Sequence, residues 1–368
     1  MSLTATASAV ASAPGPVTPT VKVVASGLNS PKHITFGFGG LYVTESGTGG
    51  STCVTGPDGI SNCEGETGSV ALLSRFGNLT VLSGLPSVME GREGAGGPVA
   101  VTFHHGQLIV LFQDTEVNPD GTTSLQGPGV SVFGKVLQAR PFSASSGWSL
   151  GPDVAAFAAA NPQNPATMGG TPGETAYDSD PYDIVPYQDG YAIADAAAND
   201  VLWLSPEGIL SVIARLPTVP ETFFGRTINA QAVPTSLAVG PDGGLYVGTL
   251  RGVPSLPGTA DVFRVAPGQP PVAVVTGLTA VTDIAFDHEG RLLVLEYNVG
   301  GLLAPPTTPG ALLRVSRSGA VTTLPVTGLS SPTGLAVGRH GAVYVVNHGN
   351  SSGSATPSGE VLKITGLG

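Results

Sequence analysis

Charge is scarce in this chain. Only 11% of its 368 residues are Asp, Glu, Lys or Arg, against about 25% in an average protein. Lysine stands at just four positions, Lys22, Lys32, Lys135 and Lys363, and the formal charge is −11. A binder of nucleic acid needs a dense basic footprint on the phosphate backbone, and this chain lacks one. The same balance argues against anionic membrane surfaces. Long hydrophobic runs are missing too: nothing approaches the roughly 18 apolar residues of a membrane-spanning helix. No Walker phosphate loop and no H-E-x-x-H occurs.

Glycine and proline are abundant, at 53 and 32 residues, and 41% of the chain is hydrophobic. Disorder would need low hydrophobicity, so the composition describes many short apolar strands separated by many turns. Such a chain can run long as a single all-β domain. Cysteine occurs twice, in CVTGPDGISNC, Cys53 and Cys63. The spacing suits a local disulfide, with two free thiols as the alternative. A disulfide implies an oxidising compartment. The first 20 residues, MSLTATASAVASAPGPVTPT, contain A-x-A cleavage patterns at Ala9–Ala11 and Ala11–Ala13 but no basic n-region. They read as the remnant of an export signal or a flexible lead-in. Residues 21–368 form the expected domain, and the expected location is secreted or periplasmic.

One phrase recurs six times: a short apolar strand, a Gly turn, and a second aliphatic strand. The copies are PKHITFGFGGLYVTE, PVAVTFHHGQLIVLF, PYDIVPYQDGYAIAD, PTSLAVGPDGGLYVGT, VTDIAFDHEGRLLVLE and PTGLAVGRHGAVYVVN. From first to last residue they span an offset of 14 in the first three copies and 15 in the last three. Most continue with a second strand pair, as in NDVLWLSPEGILSVIARL, so each repeat is a four-stranded meander with strands A to D. Radial repetition of such units predicts a six-bladed β-propeller. A pair of β-sandwiches is the weaker alternative, because it would not produce six near-equal phrases. The last repeat stops after a third strand, GEVLKITGLG, while VKVVASGL near the start reads like a fourth. Residues 21–28 are therefore expected to complete blade 6 and close the ring.

Length is concentrated in the B–C loops at 46–66, 113–129, 250–259, 297–310 and 348–358, all on one face. Two rings of equivalent positions face the same way. Glu45, Phe112, Asp195, Thr249, Glu296 and Asn347 end strand B. His33, Ala100, Asp183, Ser236, Asp283 and Gly334 lie near the start of strand A. Carboxylates converging on one mouth provide either a hard-cation site for Ca²⁺ or Mg²⁺ or a set of shifted pKa values. The metal candidates are Glu45, Asp183, Asp195, Asp283, Glu296 and Asn347. His33, His348 and Glu45 are the candidate catalytic groups, imidazole serving as general base. Each has a structural alternative: Asp183 and Asp195 as acceptors for backbone amides, Glu45 and Glu296 as solvated acids, His33 as a packed histidine. The acids Asp178, Asp180, Asp183, Asp195 and Asp200 crowd one segment without matching an EF-hand. His104, His105, His288 and His340 fall in A–B turns on the opposite face and are expected in solvent.

The phrases SPKHITFGFGGLYVTESGTGG, CVTGPDGISNCEGETGSVALLSRFG and DSDPYDIVPYQDGYAIADAAANDVLWLSPEG resemble the ScyD/ScyE family, as do VPTSLAVGPDGGLYVGTLRGVPSLPGTADVFRV and LSSPTGLAVGRHGAVYVVNHG. These are bacterial exoproteins first named from the gene cluster for scytonemin, a sunscreen pigment. The resemblance covers nearly the whole chain and weakens over residues 87–175. It implies a secreted propeller and no particular activity. A looser resemblance runs to propellers of the NHL, streptogramin-lyase and gluconolactonase kind, some of which use a divalent metal in the central mouth.

Two functional expectations follow. In the first, the propeller binds a small molecule, glycan or protein partner on its acid-lined loop face, as a monomer, without membrane or nucleic acid. In the second, a divalent cation at the mouth makes it a hydrolase, lactonase or lyase.

Overall fold

The computed structural model describes residues 18–55, 61–90, 94–104, 106–113, 132–142, 147–162, 179–350 and 357–368. Their strands form six antiparallel meanders. Blade 1 is Pro31–Gly37, Gly40–Glu45, Ser61–Ser74 and Gly77–Glu90, and blade 2 is Pro98–His104, Gln107–Phe112, Lys135–Ala139 and Trp148–Asp153. Blade 3 is Pro181–Tyr187, Gly190–Asp195, Asp200–Leu204 and Leu210–Arg215. Blade 4 is Pro234–Val239, Leu245–Thr249, Ala260–Val265 and Val272–Leu278. Blade 5 is Val281–Phe286, Leu292–Glu296, Ala311–Val315 and Val321–Thr323. Blade 6 takes Gly334–Val337, Val343–Asn347 and Gly359–Thr365, and its fourth strand is Thr20–Leu28 from the other end of the chain. Strands A of neighbouring blades touch all the way round, so the sheets close into the expected six-bladed propeller.

The sequence of each strand follows from its radius. Strand B is sandwiched between two neighbouring blades, so both of its faces must be apolar. QLIVLF and GYAIAD accordingly run without alternation, and almost every residue is buried. Strand D is outermost and half wet, so VAVVTGL buries only Val275 and Leu278. Among the described residues the buried side chains fall into six clusters, each spanning one pair of neighbouring blades. The core is therefore a ring of interfaces. Edge-to-face aromatic pairs reinforce three of these seams: Phe36–Tyr344, Tyr42–Phe103 and Tyr246–Phe286.

Three additions depart from the bare repeat. Of the expected 46–66 loop, residues 56–60 lie outside the described residues, and the rest is a built arm. Thr52–Thr55 pairs with an extended strand C of blade 1, and Cys53 and Cys63 are direct cross-strand partners joined as a disulfide. A short helix, Val154–Ala160, follows blade 2 and is capped by Asp153, which accepts from Ala156 N at 2.8 Å. A two-stranded hairpin, Val219–Phe223 with Arg226–Ala230, is inserted between blades 3 and 4. Its alternation in VPETF and RTINA and its Gly225 at φ 72° were signals in the sequence that the repeat pattern overshadowed. Most of the expected 113–129 loop and residues 351–356 of the last one lie outside the described residues.

The ring closes on apolar contact as well as strand pairing. Ala25 and Leu28 of the N-terminal strand pack with Ile34, Val43 and Leu73 of blade 1 and Val346 and Val361 of blade 6. Leu28→Ala should cost about 2–5 kcal/mol in urea unfolding, the usual range for a buried Leu truncated in a core. Val21→Ala on the exposed side of the same strand should cost less than about 0.5 kcal/mol. Equal effects would show that the strand lies on the ring without closing it.

Candidate functional site

The starts of the six A strands line the central throat on the face that carries the B–C loops. The predicted ring of His33, Asp183 and Asp283 is indeed gathered here, together with Lys32, Tyr182 and a set of threonines. Each predicted side chain reaches across a blade seam. His33 Nδ1 accepts from Val101 N of blade 2 at 3.4 Å. Asp183 Oδ2 accepts from Leu237 N of blade 4 at 2.7 Å, and Asp283 Oδ2 from Leu335 N of blade 6 at 2.5 Å. Thus odd-numbered blades supply an acceptor that holds the next even-numbered blade. Threonine hydroxyls make further links. Thr44 donates to Val99 O, Thr235 to Val281 O, Thr282 to Pro332 O, and Thr333 to Pro31 O, at 2.7–3.0 Å. The space enclosed among these side chains has room for about one water molecule.

Burial governs the electrostatics of the throat. His33 keeps only 15% of its side-chain surface, and desolvation pulls its pKa down to about 4, so the ring is neutral at physiological pH. Because Nδ1 accepts the Val101 amide, the tautomer assigned to the ring carries its proton on Nε2, 3.5 Å from Asp183 Oδ1. Asp183 is pushed up to about 7 by burial, against the pull of its bonds from Leu237 N and Ile184 N. Asp283 is raised well above its ordinary value, first by burial and then by the charge of Asp183. Tyr182 is raised by burial and by the surrounding carboxylates. The cluster can store a proton near neutrality.

The strand-B ring does different work. Thr249 bonds Asp261 of strand C, while the acids and the amide of this ring hold the connection that leads into strand A of their own blade. Glu45 Oε2 accepts from Asn29 N at 2.7 Å, Asp195 Oδ1 from Asp180 N at 2.8 Å, Glu296 Oε1 from Thr279 N at 2.7 Å, and Asn347 Oδ1 from Ser330 N at 2.7 Å. Burial raises Glu45 and Glu296 despite these bonds. Phe112 is buried in the seam between blades 1 and 2. His348 Nε2 lies 3.7 Å from Glu360, whereas the neutral His33 ring faces Asp183 at 3.5 Å. Among the described residues no three His, Cys, Asp or Glu side chains are grouped so that they could hold a metal ion. On the opposite face His340 and His288 are both exposed as expected, and the His288 ring bonds Gly338 O of blade 6 at 2.8 Å. His105 and the side chain of His104 lie outside the described residues.

One polar centre escaped sequence reasoning. Arg251, on the B–C loop of blade 4, is 1% exposed. Its Nη2 bonds Asp261 Oδ2 at 2.7 Å, its Nε donates to Thr259 O at 2.8 Å, and Glu221 of the inserted hairpin lies 3.7 Å away. The guanidinium thus pins loop and hairpin together. Only the rarity of charge in GTLRGVP and VPETFF hinted at it. The phrase GNSSG at 349–353 has the G-x-S-x-G spacing of a nucleophile elbow. Residues 351–353 lie outside the described residues.

The throat carries opposed pH dependences. Asp183 has a folded pKa near 7 against 3.8 unfolded, so its contribution is full below about pH 4 and is lost as pH rises through 7. Asp283 acts in the same direction. His33, lowered from 6.5 to about 4, contributes above pH 6.5 and loses that contribution as pH falls through 4. The melting temperature should therefore fall between pH 4 and 7, steepen in His33→Asn and flatten in Asp183→Asn. Thermal unfolding across that window checks the order of the three slopes.

Comparison with solved structures supports the architecture. An oxidoreductase described as a glucose dehydrogenase from Thermus thermophilus aligns at 17% identity over 94% of this chain and 100% of that one, with a TM-score of 0.52. The soluble aldose sugar dehydrogenase of Escherichia coli aligns at 16% identity over 95% and 100%, with a TM-score of 0.54. A protein of unknown function from Bacteroides thetaiotaomicron aligns at 10% identity over 94% and 76%, also at 0.54. No family model and no curated relative matches the sequence. At these identities the likeness establishes a shared fold alone: the chain is a six-bladed β-propeller.

Proposed function

We propose that this propeller is an exported binding protein whose ligand meets the loop-built upper face, with no chemistry in the throat. The observation that carries this reading is the commitment of the throat: His33, Asp183 and Asp283 hold neighbouring blades together around a space about the size of one water. The same face meanwhile carries three devices that a bare ring does not need. These are the disulfide-clipped arm, the hairpin at 219–230, and the loop fixed by Arg251. Rigid scaffolds that present elaborated loops commonly use them for recognition. The formal charge of −11 favours a cationic or neutral polar partner, whether small molecule, glycan or protein. A secreted or periplasmic setting is part of this reading. Both cysteines are joined in the disulfide, and no helix among the described residues is long and apolar enough to cross a membrane. The resemblance of the repeat phrases to the ScyD/ScyE family fits the same picture.

The test is a thermal-shift screen against a panel of glycans, polyamines and cationic peptides, with product analysis on every hit. The reading expects a compound that raises the melting temperature, is recovered unchanged, and loses its effect when residues 219–230 are replaced by a short Gly-Ser turn. Turnover of a hit, or binding indifferent to the hairpin, contradicts it.

A further inference from the structure

The six blades provide an internal reference for their own turns. On the lower face, opposite the B–C loops, the A–B turn of blade 4 has Asp242 at its tip. Asp242 accepts from Gly244 N at 3.0 Å and from Arg264 Nε at 3.0 Å. In blade 5 Asp287 accepts from Glu289 N and Arg291 N. Blade 1 has no acid in this turn. The alignment places Phe38 where blade 4 has Asp242, and Phe38 is 92% exposed. The adjoining C–D turn carries Phe76, 81% exposed, with the Arg75 guanidinium 4.6 Å above its ring. The two turns are neighbours, since a Cβ on Gly40 would strike the Leu73 carbonyl.

Basic residues continue the corner into blade 6. Phe36 stacks edge-on against Tyr344, and Lys363 Nζ lies 5.7 Å from the Tyr344 ring centroid. Lys363 in turn stands directly opposite Lys22 across the closing strand pair. Like charges in that register are mutually destabilising, and these are two of only four lysines in the chain. Arg339 is exposed in the A–B turn of blade 6. No Asp or Glu occurs in the stretches that build this corner, residues 20–24, 35–41, 72–80, 335–344 and 361–365. The acids of the same two blades, such as Glu45, Glu64, Glu66 and Glu360, lie towards the upper ends of their strands. A seven-residue strand separates the two ends by about 20 Å, more than two Debye lengths of about 8 Å at physiological salt. Asp287 and Glu289 of blade 5 border the blade 6 turn beside His340, and on the blade 1 side of it the corner is locally positive on a negative molecule.

We propose that this lower corner of blades 6 and 1 docks on a lipid surface that bears anionic headgroups. Phe38 and Phe76 enter the boundary between headgroups and acyl chains, and Arg75, Arg339, Lys22 and Lys363 meet the phosphates. Exposed aromatics grouped with basic residues mark such interfacial surfaces. Here the aromatics stand on convex turn tips, which can enter a fluid interface without a matching pocket. The whole-chain charge, which argued against membranes, misleads because the acids are segregated from this corner. The anionic headgroup also offsets the Lys22–Lys363 repulsion.

The experiment is flotation of the full chain with vesicles of pure phosphatidylcholine and vesicles containing equal parts of phosphatidylglycerol, at low and high salt. Binding is expected only with the mixed vesicles, weakening as salt rises. Phe38→Asp, which restores the turn residue of blade 4, should reduce partitioning by more than about tenfold. Lys22→Ala with Lys363→Ala should reduce it by roughly thirtyfold. Unchanged melting temperatures in both variants would exclude misfolding as the cause. No binding to the mixed vesicles at low salt, or binding that Phe38→Asp leaves intact, overturns the proposal. So does a concentration-dependent dimer in sedimentation that the same variants abolish without any vesicle binding. In that case the corner meets the acidic upper face of a second copy.

Discussion

A ring of blades depends on what crosses its seams at the narrow inner radius. Side chains there are few and the backbone comes close to itself. In this propeller the crossing is made by acceptors on strand A that take a backbone amide from the next blade, as Asp183 takes Leu237 N and Asp283 takes Leu335 N. Threonine hydroxyls join the remaining carbonyls. A buried carboxylate is costly unless it is well bonded. Two amide donors to each of these aspartates provide that compensation. Apolar packing supplies most of the cohesion of the six seams, and these bonds set the register in which the blades meet.

That arrangement changes the meaning of an acid-rich mouth. Five carboxylates in two rings read from sequence as a cation site. In the fold they separate into two kinds of tether, one linking blade to blade and one linking strand B to the connection that precedes strand A. The features that a bare ring does not need lie further out, in the arm, the hairpin and the Arg251 loop. The charge of the molecule is divided in the same spirit. In blades 6 and 1 the acids gather at the upper ends of the strands, and the stretches that build the lower corner contain none.

The fold was legible because a propeller repeats itself. Six copies of one phrase fixed the strands, the turn glycines and the missing fourth strand that Thr20–Leu28 supplies. The disulfide was legible because the two cysteines flank a short Gly/Pro-rich stretch. The positions of His33, Asp183 and Asp283 were legible as one ring because alignment of repeats maps directly onto rotation about an axis. Their partners were not, since the partners are backbone amides 52–68 residues away, and backbone carries no sequence signal. The hairpin at 219–230 and the Arg251–Asp261–Glu221 group were missed because they belong to no repeat. The reach of Glu45 to Asn29 was missed because its direction depends on how the connection folds back over the blade.

Native-state hydrogen exchange at single amides tests the tether account most directly. The Leu237 amide should be protected to nearly the level of global unfolding. Asp183→Ala should lower that protection by about 10–100-fold, the worth of a bond to a charged acceptor, while leaving the Leu335 amide as it was. Rapid exchange of Leu237 in the parent protein, or protection indifferent to Asp183→Ala, would contradict the claim that the throat carboxylates hold the ring together.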